Sequence, residues 1–385
     1  MDALPLMPNG KIDHNALPEP DGSSDNEHYT APRDTVERQL VLIWESLLSV
    51  SPVGIEDNFF ELGGHSLLAV RLAAEIEKIF HRRFPVSRIF ESPAISGIAA
   101  FLRKEGNVPE ASCLVRIRPR GSHPPLFFLP GIEGIVSYLY PFASRMDSDI
   151  PFFTFQDKGF EQDAEPSFTS IEVMAEHYVS LLLEVQPHGP YFLAGHSFGG
   201  HVAFAMAQIL LNRGKKIGLL AIADTYAPGT AIFNSESDLN MVHLVSHLTH
   251  NKLTVRKEEV GSLSSEEQLD YIASRLEEAK ILPEGKGAEY LHRLVNVISN
   301  NIRMQNSYSP ESFIPLPITL IRANESMPDQ APLPEETGDD LGWKRYSDQK
   351  VEIYYVPGNH MTMMNPLNVD RLAQILSQII LKDFS

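Results

Sequence analysis

The chain has 385 residues, 43% hydrophobic and 21% charged, with a formal net charge of -18. That length allows two or three domains, and the acidic balance argues against general affinity for nucleic acid, because little positive charge is available to displace phosphate counterions. No run approaches the roughly 18 apolar residues of a membrane helix, the first residues lack the basic-then-apolar layout of a secretory signal, and the single cysteine, Cys113, excludes an intrachain disulfide framework and suits a reducing, cytoplasmic setting.

In chain order, residues 1–31 read as a tail and linker, with Pro, Gly, Ser, Asn and Asp dominating Pro18 to Asn26. Within the tail, Leu4-Pro5-Leu6-Met7-Pro8-Asn9-Gly10-Lys11-Ile12-Asp13 resembles the last core motif of amino-acid adenylation domains. Lys11 stands for the lysine that closes over the adenylate, and His14 stands where that family usually has arginine. No adenylate-binding body precedes Lys11, so the stretch is expected to do no chemistry here. It serves as an address, that of a piece from the end of a longer synthetase.

Residues 32–104 read as a small all-α, four-helix domain. Thr35 is a candidate cap, and Val36, Leu40, Ile43, Trp44 and Leu47 recur at helical spacing. A loop containing Pro52, Gly54, Asp57 and Asn58 leads to a second helix from Ser66 to Phe80, and short helices near Val86–Phe90 and Ile95–Leu102 close the bundle. Residues 105–123, with Gly106, Pro109, Pro119 and Gly121, are expected to form a connector; as a flexible coil it would span roughly 25 Å. Residues 124–385 alternate short apolar runs (Leu126–Leu129, Phe152–Phe155, Tyr191–Ala194, Leu219–Ala223, Ile318–Arg322, Val351–Val356) with helical patterns, which predicts a parallel α/β sheet covered on both faces. Residues 228–309 contain only helical pattern, too long for a simple connection, and are a candidate lid.

The chemistry concentrates on two serines. Gly195-His196-Ser197-Phe198-Gly199 fits G-x-S-x-G between a strand and a helix, the context that motif needs. The tight turn presents the Ser197 hydroxyl at a helix N-terminus, where free N–H groups can stabilise an oxyanion. A serine needs a base, and His360, in the loop after the last strand, occupies the expected place. His196 leaves the turn in another direction, and His201 lies one turn down the helix, so both are weaker bases. The acid has three candidates: Asp224, ending the strand after the nucleophile helix, and Glu325 and Asp329, in the loop after Ile318–Arg322. Phe198 supplies one oxyanion N–H, and Ile132, in the loop Pro130–Gly134, is the choice for the second. No metal site is expected, because the histidines form no H-E-x-x-H or Cys/His cluster, and no phosphate loop of the G-x-x-x-x-G-K-[ST] kind occurs.

Ser66 closes Asp57-Asn58-Phe59-Phe60-Glu61-Leu62-Gly63-Gly64-His65-Ser66. General chemistry says only that a helix start favours an attached phosphate. The stretch resembles the attachment motif of peptidyl carrier domains of nonribosomal peptide synthetases. The elbow and Gly358-Asn359-His360-Met361-Thr362-Met363-Met364 resemble the type I thioesterase domains of the same synthetases, so the order is adenylation tail, carrier, thioesterase. The resemblance implies an α/β-hydrolase fold with a helical lid and 4′-phosphopantetheine covalently on Ser66. It selects Asp224 as the acid, and it makes upstream adenylation and condensation domains and a phosphopantetheinyl transferase the expected partners. A peptidyl thioester would pass to Ser197 and leave by hydrolysis or cyclisation, with a lean to macrocyclisation. A stand-alone serine esterase or lipase would not explain the carrier motif, and a non-catalytic docking module would not explain Ser197, Asp224 and His360 together.

Overall fold

The computed structural model describes residues 29–104, 112–157, 159, 168–229, 253, 255–261, 263–282, 285, 287–326 and 338–382. The tail with Lys11 and His14 lies outside the described residues. Residues 29–104 form α1 (Thr35–Leu48), α2 (Ser66–Phe80), α3 (Ser87–Glu91) and α4 (Ile95–Arg103). Asp34 rather than Thr35 caps α1, its carboxylate accepting the Glu37 N–H at 2.9 Å; an acidic cap also meets the positive end of the helix. The apolar face of α1 is buried, and Trp44 meets Phe59 edge-on at 5.1 Å, which draws the loop before α2 onto the bundle. Arg33 and Arg103 both donate to the buried Glu37 carboxylate and so tie α1 to α4. The Arg33 hydrogen bond, outweighing burial and aided by Arg103, holds that carboxyl down to about 2.

Among the described residues, the remainder is built on seven strands, β1 (Leu114–Arg118), β2 (Leu126–Leu129), β3 (Phe152–Phe155), β4 (Tyr191–His196), β5 (Ile217–Ala223), β6 (Ile318–Ala323) and β7 (Val351–Val356), in the order β1-β3-β2-β4-β5-β6-β7. β1 is antiparallel to β3; the other pairs are parallel. β2 shows why such strands read as unbroken apolar runs: Leu126 and Phe128 enter the core on one face, Phe127 and Leu129 the core on the other. One face is covered by α5 (Leu139–Arg145) and the last helix, the other by α6 (Ile171–Val185) and α7 (Phe198–Asn212). Among the described residues, three helices lie between β5 and β6: α8 (Lys257–Val260), α9 (Ser265–Glu278) and α10 (Gly287–Ser307). α11 (Val369–Lys382) closes the chain's fold.

The connector expectation is corrected as well. Five residues of the supposed flexible connector, Leu114–Arg118, are the edge strand β1, registered with Phe152–Phe155. The segment is short, and only its first two residues are fully buried while Arg116 faces solvent, so it carries little apolar signal. Arg116 and Arg118 also break its apolar pattern. Arg118 instead donates to the carbonyls of Ala143, Met146 and Ile150, pinning β1 to the end of α5.

The helices between β5 and β6 pack through their own apolar cluster, including Ile272, Leu276, Leu291, Leu294 and Ile298. Leu67 of α2 and Ile135 belong to the same cluster, so the helical domain rests partly on the lid region. Phe60 stacks on Tyr140 at 4.1 Å, the Tyr140 hydroxyl donates to the Phe90 carbonyl at 2.9 Å, and the Arg71 guanidinium donates to the Lys280 carbonyl at 2.8 Å. Ser66 thereby faces the α/β domain.

Candidate active site

Ser197 sits between β4 and α7 with φ 55° and ψ -124°. A non-glycine residue pays for a positive φ, and tight packing around the turn holds it there. A Cβ on Gly199 would come within 2.2 Å of the Leu129 carbonyl oxygen, one on Gly195 within 2.1 Å of the Gly199 carbonyl oxygen, and one on Gly200 within 2.3 Å of the Thr225 hydroxyl. The elbow therefore passes against β2 and β5 with no room for a side chain. It is further fixed by the Ser197 N–H donating to the Ala223 carbonyl at 3.1 Å and the Thr225 hydroxyl donating to the Ser197 carbonyl at 2.8 Å.

His360, after β7, brings Nε2 to 3.0 Å from Ser197 Oγ and Nδ1 to 2.9 Å from Asp224 Oδ2. Asp224 follows β5, with its N–H donating to the Ile321 carbonyl at 2.7 Å and its Oδ1 accepting the Ala323 N–H at 3.1 Å. Both carboxylate oxygens are thus engaged, one by β6 and one by the imidazole. Burial opposes the charge on Asp224, but the hydrogen bond and positive character of His360, with the Ala323 N–H, hold its carboxyl below the usual range. A carboxylate only accepts, so Nδ1 carries the proton and Nε2 is the acceptor facing Ser197. All three residues stand beyond the carboxyl ends of parallel strands, where open α/β sheets place their ligands.

The oxyanion candidates lie on the start of α7 and on the loop after β2, which border one cleft. Phe198 opens α7, so its N–H has no intrahelical acceptor. The loop after β2 closes with the Gly134 N–H on the Gly131 carbonyl at 2.9 Å, a turn that does not use the Ile132 N–H. Two side chains brace this loop. The Tyr138 hydroxyl oxygen accepts the Gly131 N–H at 2.9 Å, and Asn301 Nδ2 of α10 donates to the Ile132 carbonyl at 2.8 Å. Phe198, Gly131, Gly134 and Asn301 line one small cleft.

The other candidates fall elsewhere. His196 Nε2 lies 3.0 Å from the His360 carbonyl and must donate to it, so this ring props the His360 loop rather than reaching Ser197. His201 is buried, its Nε2 2.7 Å from the Tyr226 carbonyl; burial, partly offset by that bond, pushes it down to about 4, and it packs as a neutral ring. Glu325 is exposed, with its N–H on the Gly358 carbonyl. Asp329 lies outside the described residues.

Ser66 is the first residue of α2, after Gly63 at φ +97° and Gly64, whose absent Cβ would lie 2.4 Å from the Phe59 ring. The hydroxyl stands at a helix start, where N–H groups favour a phosphate, and it lines a cavity of about 160 Å³ whose wall includes Gln156. Gln156 Oε1 is buried and has no partner among the described residues. A phosphate-linked arm fits this helix start and the cavity beside it. Sequence reasoning missed Gln156, Tyr290 and Asn301. Asn301 had one legible signal: it falls on the stripe Leu291, Leu294, Ile298, a polar residue on an apolar face. Tyr290 lies against Ser66, with burial pushing its hydroxyl up to about 12 and the Ser66 side chain opposing that shift.

Residues 124–380 match the thioesterase domain family, and residues 38–102 match the phosphopantetheine attachment site family. The chain is 33% identical over 387 aligned residues to chondramide synthase of Chondromyces crocatus, covering 97% of this chain and 10% of that protein. It is 29% identical to the dimodular nonribosomal peptide synthase of Bacillus subtilis (strain 168), covering 98% of this chain and 15% of the other. It thus spans a small part of the curated relatives it matches. Among solved structures it is similar to a holo four-domain nonribosomal peptide synthetase bound to AMP and glycine, with TM-score 0.63 and 26% identity over 98% of this chain and 28% of the other. The fold also matches a thioesterase domain bound with a dodecadepsipeptide, with TM-score 0.51 and 24% identity over 69% of this chain and 96% of that one.

Proposed function

The chain belongs to the thioesterase domain family and carries a phosphopantetheine attachment domain ahead of it, and from that premise we propose that it terminates nonribosomal peptide synthesis, taking a peptidyl group from the carrier domain onto Ser197 and releasing it. The observation that carries the proposal is the relay from Ser197 Oγ through His360 to Asp224, at 3.0 and 2.9 Å, in a chain whose carrier domain faces the same α/β domain. When bound on Ser66, the 4′-phosphopantetheine arm would supply a thiol that holds the acyl group as a thioester.

The chain's own residues do the rest. His360 Nε2 accepts the Ser197 proton as Oγ attacks the acyl carbonyl, and Asp224 steadies the imidazolium without itself being protonated. The N–H groups of Phe198 and Ile132 receive the developing oxyanion, and Asn301 and Tyr138 hold the Ile132 loop in place for it. His360 then returns the proton to the departing thiolate, leaving the acyl group as an ester on Ser197. A second nucleophile, water or a hydroxyl or amine of the acyl chain, then gives its proton to His360 as it attacks the ester carbonyl, and His360 passes that proton to the departing Ser197 Oγ as the ester bond breaks. Water releases an acid; an internal nucleophile releases a lactone or lactam. α9 and α10 stand in the lid region that would shield the ester from water.

The tail with Lys11 points to an adenylation domain upstream, and a phosphopantetheinyl transferase is the partner that Ser66 requires; a cytoplasmic setting fits both. The test is mass spectrometry of the product released from a linear peptidyl thioester. Release of linear acid or of its dehydrated ring supports the proposal and identifies the second nucleophile. Release that persists at the wild-type rate in Ser197→Ala refutes it.

A further inference from the structure

Ser197 and Asp224 follow adjacent parallel strands. β4 and β5 run in register as far as His196 beside Ala223, so the nucleophile turn and the acid turn leave the sheet side by side, at φ 55° and 48°. The next residue, Thr225, is 3% exposed and reaches back toward the nucleophile turn. Its Oγ lies 2.8 Å from the Ser197 carbonyl and 3.1 Å from the Ala223 carbonyl. A hydroxyl has one proton to give. The Ala223 carbonyl already accepts the Ser197 N–H at 3.1 Å, and the nearer Ser197 carbonyl takes the Thr225 proton. That carbonyl also accepts the Gly200 N–H at 2.9 Å, so both its lone pairs are filled. Thr225 is itself held in place. Trp343, fully buried, donates Nε1–H to the Thr225 carbonyl at 2.6 Å. The Thr225 side chain also packs where Gly200 leaves room, its Oγ 2.3 Å from the place a Cβ would take.

The Ser197 carbonyl belongs to the same peptide unit as the Phe198 N–H. That unit is planar and trans, so the two groups point in opposite directions and turn together. Whatever fixes the carbonyl therefore aims the N–H. Donation to the carbonyl also polarises the unit and strengthens its N–H as a donor. We propose that Thr225 is a positioning residue for the oxyanion: its hydroxyl, acting through the Ser197 carbonyl, aims and polarises the Phe198 N–H toward the tetrahedral intermediate. The relay is served by other bonds. His360 reaches Ser197 Oγ and Asp224 Oδ2, and Asp224 Oδ1 accepts the Ala323 N–H. Loss of the Thr225 hydroxyl should thus weaken the oxyanion hole and leave the base in place.

The inference rests on Ser197 being the nucleophile, and the experiment separates the two. Thr225→Val exchanges the hydroxyl for a methyl group, with thermal melting as the check on folding. Acylation of Ser197 by an acyl thioester is followed in the full chain by intact-protein mass spectrometry. The saturating rate should fall about tenfold with the half-saturating concentration unchanged, the pattern of an interaction made only in the transition state. That is less than the roughly 10²–10³ lost with a whole oxyanion donor. The pH profile should keep its wild-type shape. The second probe is an acyl trifluoromethyl ketone. Ser197 Oγ bonds to its carbonyl carbon, the Oγ proton passes to His360, and no group leaves, so the adduct holds a tetrahedral oxyanion. Affinity for this ketone should also fall about tenfold. Thr225→Ser keeps the hydroxyl and should keep both values near wild type. Thr225→Cys, a weaker donor, should lose part of each and carries the test if Thr225→Val does not fold. A wild type in which Ser197 never takes up the acyl mass overturns the functional reading, and this inference with it. Acylation at the wild-type rate in folded Thr225→Val overturns this inference alone, as does a slowed variant whose ketone affinity is unchanged, or a Thr225→Ser as slow as Thr225→Val.

Discussion

Asp224→Asn removes one charge and keeps the shape, so it isolates what the carboxylate does for His360. Asp224 has φ 48°, a conformation asparagine tolerates at least as well as aspartate, so the fold should stay intact. The Ala323 N–H faces Oδ1 at 3.1 Å and demands an acceptor there. The introduced amide must therefore place its carbonyl oxygen on Ala323 and its NH₂ on the imidazole. Nδ1 of His360 then becomes the acceptor, the ring proton moves to Nε2, and Nε2 can no longer take the proton of Ser197 3.0 Å away. The same tautomer inversion in a serine protease lowers kcat by about 10⁴, or about 5.5 kcal/mol at 1.36 kcal/mol per tenfold. The assay is pre-steady-state acylation of Ser197 by an acyl thioester, followed by intact-protein mass spectrometry, with thermal melting as the control. Acylation in the variant within about tenfold of wild type, with unchanged melting, would refute the argument, because an engaged Oδ1 leaves the amide no other orientation.

Other positions test other parts of the account. Asn301→Leu removes the Nδ2 bond to the Ile132 carbonyl; with the donor displaced rather than deleted, kcat should fall by about tenfold to a hundredfold with little change in KM, less than the 10²–10³ of losing an oxyanion donor outright, and steady-state kinetics on an acyl thioester reads it. Gly199→Ala puts a Cβ 2.2 Å from the Leu129 carbonyl oxygen, so backbone must move; denaturant unfolding should show about 1–3 kcal/mol lost together with loss of acylation. His201 is neutral and buried, with its pKa pushed from 6.5 to about 4. Between those values the unfolded chain binds more protons, so stability present above pH 6.5 is lost as pH falls toward 4, by up to about 3 kcal/mol. Unfolding followed over that range should show the loss, and His201→Gln should flatten it.

Much of the fold was legible because the strands are buried on both faces: runs such as Leu126–Leu129 and Phe152–Phe155 have no polar alternation and are bounded by turn residues. The edge strand Leu114–Arg118 was not, since an edge needs only half its side chains apolar and its pairing with Phe152–Phe155 is a long-range fact. The turn at Ser197 could be read from its strand–glycine–helix context alone. Asp224 could not, because an acid after β5 and an acid after β6 are equivalent in pattern, and resemblance to a family had to choose between them. Asn301 showed only as a polar residue on an apolar helix face, and Gln156 not at all. Each acts on a backbone carbonyl far away in sequence, Ile132 or Gly134, and neither contact leaves a local motif.

One acyl group visits two serines, and the direct measurement is where that group resides. The holo chain is loaded on Ser66 with an acyl group, quenched at intervals, digested, and the acyl mass mapped to peptides containing Ser66 and Ser197. The mass should leave the Ser66 peptide as it appears on the Ser197 peptide, and in His360→Ala it should remain on the Ser66 peptide. Acyl product released from the wild type without the Ser197 peptide ever carrying the mass, under conditions where deacylation is slowed enough to trap it, would contradict the account.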